Sequence, residues 1–387
     1  MKPDPIYIQL QKHLDKQPVG FPATRSGAEI KILEHIFSPL EARIALKMGY
    51  KFESAEAILI RLEHAVSSVL VLENHLDQLF KKGGILSRVT DGIRYYGLAP
   101  LVVGMYELQN KRLTPDFVKY FKEYTSDKKF GIEFISTELP QMRTIPISES
   151  ISVTPHVSPF DDVVALINKA HEPFAILECI CRKKKDIEGN ACKKTTRKET
   201  CLAMGDMGAG AIHIGIGREI TRDEALDIIK QNQKDGLVLQ PANAQDADFI
   251  CSCCGCCCGM LDMQHNLPKP LDYWATNFHA TVDATQCNGC GVCVKRCQVN
   301  AVTVLEKGAC ARVNLNLCLG CGVCVTTCPK TAISLEKNTR EIKPPQTVED
   351  LYDIIMEKKK GPFGKIKVTG KVVFDAIRSG RTDVLKK

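Results

Sequence analysis

No run of this 387-residue sequence approaches the ~18 apolar residues that a membrane-spanning helix needs. The start, MKPDPIYIQLQKHLDKQ, lacks the continuous apolar core of a secretory signal, so a cytoplasmic location is expected. Neither G-x-G-x-x-G nor G-x-x-x-x-G-K-[ST] can be placed, even in the glycine-bearing GDMGAGAIHIGIGRE at 205–219. Turns, or close backbone approach to a cluster, remain as the use of those glycines. Without a nucleotide or flavin fingerprint, hydride chemistry would have to reside in another subunit. Charge of one sign is not in large excess either. The net charge of +7 is spread among acids, which permits an acidic partner and does not demand nucleic acid.

What the chain does have is 19 cysteines. A single core usually stops growing near ~250–300 residues, so this chain is long enough for two or three domains and needs no disulfide staples. In a reducing compartment so many thiols read as metal ligands or catalytic groups.

Along the chain, Ser38-Pro-Leu-Glu41 has the form of a capping box with proline at the first helical position, predicting a helix from Pro39 to about Met48. A second helix is expected over Ala55–Leu70. A third lies within 72–84, with Leu72, Leu76, Leu79 and Phe80 on one face and a stop at Gly83-Gly84. ILSRVTDGIRYYGL then reads as a hairpin around Asp91-Gly92. Three helices and a hairpin resemble a winged-helix domain, here over 24–125. Lys81, Lys82, Arg88 and Arg94 would favour DNA, but Glu73 and Asp77 on the third helix oppose it. Residues 126–170 read as a proline-bearing linker with a helix at Asp161–Lys169 and a surface His156. Thr221-Arg-Asp-Glu224 reads as a capping box opening a helix that ends near Gly236.

The strongest signal is an internal repeat. Cys287-x2-Cys290-x2-Cys293-x3-Cys297 recurs 31 residues later as Cys318-x2-Cys321-x2-Cys324-x3-Cys328, this time followed by Pro329. The flanks repeat too, as CNGCGVCVKRCQVNAVTV and CLGCGVCVTTCPKTAISL. This module, over 278–337, resembles the bacterial two-cluster ferredoxin, which implies two [4Fe–4S] clusters. By that resemblance one cluster takes Cys287, Cys290, Cys293 and Cys328, and the other takes Cys318, Cys321, Cys324 and Cys297. Gln298 stands where the motif usually has proline, a change expected to loosen that turn slightly. Zinc is the alternative for C-x2-C pairs. Cys310 has no partner in the repeat and is expected to be a buried structural thiol.

Ten cysteines remain, all in a Cys-rich segment at 171–270: Cys179, Cys181, Cys192, Cys201, Cys251, Cys253, Cys254, Cys256, Cys257 and Cys258. The last six crowd into ICSCCGCCCGML. Neighbouring side chains of an extended strand point to opposite sides, so Cys253/Cys254 and Cys256/Cys257/Cys258 are expected to serve two sites, or one site and a spare. One or two further iron–sulfur clusters, or a structural zinc, could occupy them. Arg182, Lys183, Lys184, Lys185, Lys193, Lys194, Arg197 and Lys198 surround the upstream thiols. Positive charge there would lower thiolate pKa, or dock an acidic partner.

The expected class is therefore α+β and multidomain. It has a winged-helix-like start, a Cys-rich middle and a 2[4Fe–4S] ferredoxin-like module. A basic extension at 338–387 carries a helix at Val348–Lys359 and packs on the surface, or docks an acidic flavoprotein. The order of parts is similar to multidomain ferredoxin-type iron–sulfur proteins of anaerobes. It implies single-electron transfer to or from an oxidoreductase partner. A redox-sensing winged-helix regulator and an enzyme with a catalytic cluster in the middle segment are the alternatives.

Overall fold

The computed structural model describes residues 4–62, 65–151, 157–306 and 308–385, so His156 lies outside the described residues. The N-terminal part is mainly helical. Helices α1 Pro5–Leu14, α2 Ala28–Ile36 and α3 Pro39–Ala45 precede the short strand β1 Glu53–Ser54. Helices α4 Ala55–Leu59 and α5 Val69–Lys81 then lead into β2 Ile85–Thr90 and β3 Ile93–Leu98. At Ser38 both halves of the capping box form: Glu41 N donates to Ser38 Oγ at 3.4 Å and Ser38 N to Glu41 Oε2 at 2.7 Å. Asp91 and Gly92 take φ of 52° and 78°, the left-handed pair that a two-residue hairpin turn needs. β3 lies between β1 and β2.

The helix expected over Ala55–Leu70 is interrupted. α4 stops at Leu59, and Ser68 caps a new helix by accepting from Val71 N at 3.3 Å. Helices α6 Pro115–Thr125 and α7 Lys128–Ile135 complete this part, whose core includes Leu10, Ile32, Leu72, Leu79, Phe117 and Tyr124.

Residues 140–147, expected as linker, are largely buried and paired. Met142 and Ile145 bridge to Ala242 and Leu239, and Trp274 Nε1 donates to Thr144 at 2.8 Å. Arg143, fully buried, is ion-paired with Asp161.

After α8 Val163–Lys169 comes the middle sheet. Its parts are β4 Phe174–Glu178, α9 Ile180–Ile187, β5 Glu199–Met204, α10 Gly205–His213, β6 Gly217–Ile220, α11 Arg222–Lys234, β7 Val238–Pro241, β8 Phe249–Cys253 and α12 Gly259–His265. The strands lie in the order β6-β4-β5-β8-β7, all antiparallel. Ile176, Leu202, Met204 and Ile250 meet Leu166, Ala225 and Ile229 from α8 and α11. The stretch rich in glycine turns out to be helical. A Cβ at Gly208 would sit 2.3 Å from Pro173 O, so that glycine admits α10 onto the sheet rather than onto a cluster. At Thr221 only half the capping box forms: Glu224 N donates to Thr221 Oγ1, while the Glu224 carboxylate takes Arg218 at 2.9 Å.

The C-terminal part comprises β9 Phe278–Val282, α13 Val292–Arg296, β10 Val302–Thr303, β11 Arg312–Val313 and β12 Ile333–Lys337, then α14 Val348–Glu357 and α15 Pro362–Arg378. α14 is no loose extension, for it returns to the N-terminal part. Arg88 Nη1 donates to Glu349 at 2.8 Å and Tyr50 OH to Asp353 at 2.7 Å. Among the described residues no helix is long and apolar enough to cross a membrane.

Candidate metal centres

In the repeat, local chain geometry presents sulfur and backbone N–H together. Gly289, Gly291, Gly320 and Gly322 all take positive φ, between 63° and 73°, turning the chain tightly between ligand positions. A Cβ at Gly320 would lie 2.1 Å from Phe278 O and one at Gly289 2.4 Å from Ala309 O. Four amides point at sulfur: Ala280 N to Cys318 Sγ at 3.4 Å, Ala311 N to Cys287 at 3.4 Å, Ala301 N to Cys297 at 3.2 Å and Ala332 N to Cys328 at 3.3 Å. Donors and acceptors are each offset by 31 residues, so the two halves are related by a local twofold. A small cavity is lined by Cys287, Cys290, Cys293 and Cys328. Cys297 lies in electrostatic reach of Cys318, Cys321 and Cys324. Burial, opposed by nearby backbone donors, pushes Cys321 up to about 12, so its thiol keeps its proton unless a cation replaces it.

The ten upstream cysteines fall into two sets. Cys192, Cys254, Cys256 and Cys257 have their sulfurs within 4.8 Å of one another. The contacts are 3.6 Å for Cys192–Cys254, 3.8 Å for Cys192–Cys256 and 3.6 Å for both Cys254–Cys256 and Cys256–Cys257. A tetrahedron with metal–sulfur bonds of ~2.3 Å has an edge of ~3.8 Å, so these four fit one tetrahedral ion.

The other six lie near enough to interact electrostatically in a closed ring. Cys179 meets Cys181, Cys181 meets Cys258, Cys258 meets Cys253, Cys253 meets Cys251, Cys251 meets Cys201, and Cys201 returns to Cys179. The elements explain the ring. Cys251 and Cys253 share one face of β8, at the strand period of two. Cys201 is on the adjacent β5, and Cys179 and Cys258 stand at the starts of α9 and α12. Thus the split of adjacent thiols between sites follows from chain direction: Cys253 and Cys258 turn to the ring, and Cys254, Cys256 and Cys257 to the four-thiol set.

Arg182 is fully buried and lies in the field of both sets. Its Nη2 donates to Ser252 O at 3.0 Å and its Nη1 to Thr200 Oγ1. Hydrogen bonding from Cys257, then the Arg182 charge against the cost of burial, hold the Cys254 thiol down at about 5. Bonds from Cys181 and Cys201, with Arg182 again, hold Cys179 well below the usual thiol range. By contrast, Cys181, Cys201, Cys251 and Cys253 are pushed well up, first by bonds to neighbouring thiols and then by burial. One guanidinium cannot neutralise six thiolates, three of them buried and three half-buried, so a fully deprotonated ring requires metal charge. The surrounding lysines do not supply it. Lys183 pairs with Glu178, Lys184 and Lys185 with Glu188, Lys198 with Asp186, and Arg197 with Asp235. Lys194 contributes its backbone, N–H to Cys192 Sγ at 3.5 Å, as its Nζ reaches Lys295 O, and the Lys193 backbone bonds Cys256.

Two residues have roles that spacing alone did not reveal. Gln298 is buried; it accepts from Gly255 N at 3.0 Å and donates to Gly236 O at 2.8 Å. Rather than loosening a turn, it ties the CCGCCC loop to the residue after Cys297. Cys310 is only partly buried and its Sγ donates to Ala311 O at 3.4 Å, the residue whose N–H points at Cys287, which places it beside a repeat cysteine.

The family described as 4Fe-4S binding domain matches residues 280–303 and again 311–334. No curated protein matches the chain.

Proposed function

We propose that this chain is an electron-transfer protein in which two [4Fe–4S] clusters in the tandem binding motifs connect to a metal-bearing middle domain. In this reading Cys287, Cys290, Cys293 and Cys328 hold one cubane, and Cys318, Cys321, Cys324 and Cys297 the other. The six-thiol ring holds a further iron–sulfur cluster, and Cys192, Cys254, Cys256 and Cys257 hold a single tetrahedral ion that fixes the loop. The observation that carries the reading is continuity: Cys253 and Cys258 of the ring share one packed core with Cys293, Cys318 and Cys324. Electrons entering the motifs therefore have a closely packed route inward. Cys290 is exposed, which puts the cluster it would hold at the surface, where a redox partner would meet it. When bound, the clusters supply one-electron chemistry. The chain supplies N–H···S hydrogen bonds that stabilise the reduced, more negative state, a dry core, and Arg182 as internal counter-charge.

The N-terminal part, read as winged-helix-like, serves in this account as a docking and packing domain. Against a DNA-reading role, Lys81 pairs with Asp77, Lys82 with buried Glu41 and Arg88 with Glu349. Asp77 also takes His213 of α10 at 2.7 Å, so the outer side of α5 is partly occupied. Anaerobic metal and sulfide analysis tests the proposal: more than eight iron with matching sulfide, and about one zinc-like ion, per chain. Cys256→Ser should lose the single ion and keep the iron, while Cys201→Ser should lose only the iron beyond eight. Eight iron and no more in the intact protein would refute the ring assignment.

A further inference from the structure

Between the N-terminal helices, the middle sheet and α14 lies a cavity of ≈ 630 Å³. That is within the ~300–1,000 Å³ of small-molecule sites. Its wall is mostly apolar, with Phe21, Phe80, Leu98, Met105, Met204 and Phe249 among its residues. Most charged groups on it are already paired. Arg88 is held by Glu349 at 2.8 Å and Lys169 by Asp246, while Tyr352 OH accepts from Gln141 at 2.9 Å. Two carboxyls are not. Asp206 is an exposed residue of α10 with the charges of Arg88 and His171 near it, and half-buried Asp248 has a buried Oδ1 with no hydrogen-bond partner; against these two acids the same wall carries the His171 imidazole. A buried carboxylate without a partner is costly, and an arriving cation removes that cost.

We propose that this cavity binds a mainly apolar small molecule carrying one cationic amine, with the rings or chain of the ligand on the Phe21–Met105 wall and the ammonium on Asp248 and Asp206. The excess of unpaired acid over unpaired base decides the sign, and the apolar wall decides the body of the ligand. An anionic ligand would meet two carboxyls, and a plain hydrocarbon would leave Asp248 unpaired. The position gives the site its interest. Met204 is three residues from Cys201 on β5, and Asp248 is three residues from Cys251 at the start of β8. At a strand rise of ~3.3 Å, the bound amine lies ~10 Å along the sheet from the six-thiol ring. The inference rests on the cavity alone and holds whether or not the ring carries iron.

Calorimetric titration of the full-length protein with dibenzylamine, and with 3,3-diphenylpropionate as the charge-reversed compound, tests it. Dibenzylamine should bind at least tenfold more tightly than the carboxylate. Asp248→Asn should weaken the amine at least tenfold and leave the carboxylate no worse. Met207→Trp, which fills the cavity from α10, should abolish binding of both. Asp248→Asn removes an unpartnered acid and is expected to fold, and its thermal midpoint is recorded alongside. Equal binding of amine and carboxylate, amine binding unchanged in Asp248→Asn, binding that survives Met207→Trp, or no binding by the intact protein would each overturn the proposal.

Discussion

Replacing Asp248 by Asn gives a stability signature that can be worked out in advance. Burial first, and the charge of Asp206 second, raise the Asp248 carboxyl from 3.8 to about 6. A group whose folded pKa is raised contributes stability that is fully present below its unfolded value and is lost as pH rises through the folded one. Below about pH 4 Asp248 is neutral in both states and costs nothing as a charge. Between about pH 4 and 6 the unfolded chain ionises while the folded chain keeps its proton, and by pH 7 the loss is complete. A shift of about 2 units at 1.36 kcal/mol each gives ~3 kcal/mol. Asn does not titrate, and about 2 kcal/mol of that loss falls between pH 4.5 and pH 7.5, so for a chain of 387 residues the midpoint difference between mutant and wild type should grow by roughly 2–3 °C over that range. Any constant difference between Asn and protonated Asp cancels in that comparison. Thermal scans under anaerobic conditions at several pH values provide the assay, and a difference that stays flat over this range would refute the reasoning.

Other substitutions separate the parts of the molecule. Arg182→Met removes the cation buried between the two thiol sets, and loss of one buried ionic partner costs about 3–5 kcal/mol; upstream metal content should fall while the absorbance of the tandem motifs persists, and Arg182→Lys should not rescue it because a shorter side chain with a single nitrogen lacks the planar fork that reaches Thr200 and Ser252 from two separate atoms. Gln298→Ala deletes the bonds to Gly255 and Gly236, a cost of about 1–3 kcal/mol, and should speed metal loss from the Cys254–Cys257 loop to a chelator; an unchanged rate would mean the tie carries no load. Gly320→Ala brings a Cβ to 2.1 Å from Phe278 O at a φ of +63° and should cost the neighbouring cubane. By comparison Gly308→Ala, with open space around it at φ +89°, should cost only ~1 kcal/mol of backbone strain and no iron. Iron determination on the two proteins distinguishes them.

Local chemistry was readable and long-range pairing was not. The capping box at Ser38, the Asp91-Gly92 turn and the tandem cysteine repeat are each specified within a few residues, where spacing and φ preference leave few solutions. The division of ten upstream cysteines into six and four depends on β5 lying beside β8 and on α9 and α12 starting at the same end of that sheet. No short window of sequence contains those facts. The alternation of strand faces expects Cys253 and Cys254 to serve different sites, and Cys254 lies with Cys192, Cys256 and Cys257. The glycines of α10 were misleading for a different reason: glycine in a helix looks like punctuation until the strand backbone it accommodates is in view. Gln298 was visible only as a missing proline, since its partners Gly255 and Gly236 are distant in sequence.

The return of α14 to the N-terminal part has a consequence for the order of assembly. Its clasp joins Arg88 to Glu349 across 261 positions and Tyr50 to Asp353 across 303. Contacts of such separation close late, because the intervening chain must be ordered first. During synthesis every cysteine leaves the ribosome before Glu349 does, so the thiols can be loaded while the domain above them is still open. α14 then shuts a finished interior, and a chain cut short before residue 348 would retain all of its thiols but lack this closure.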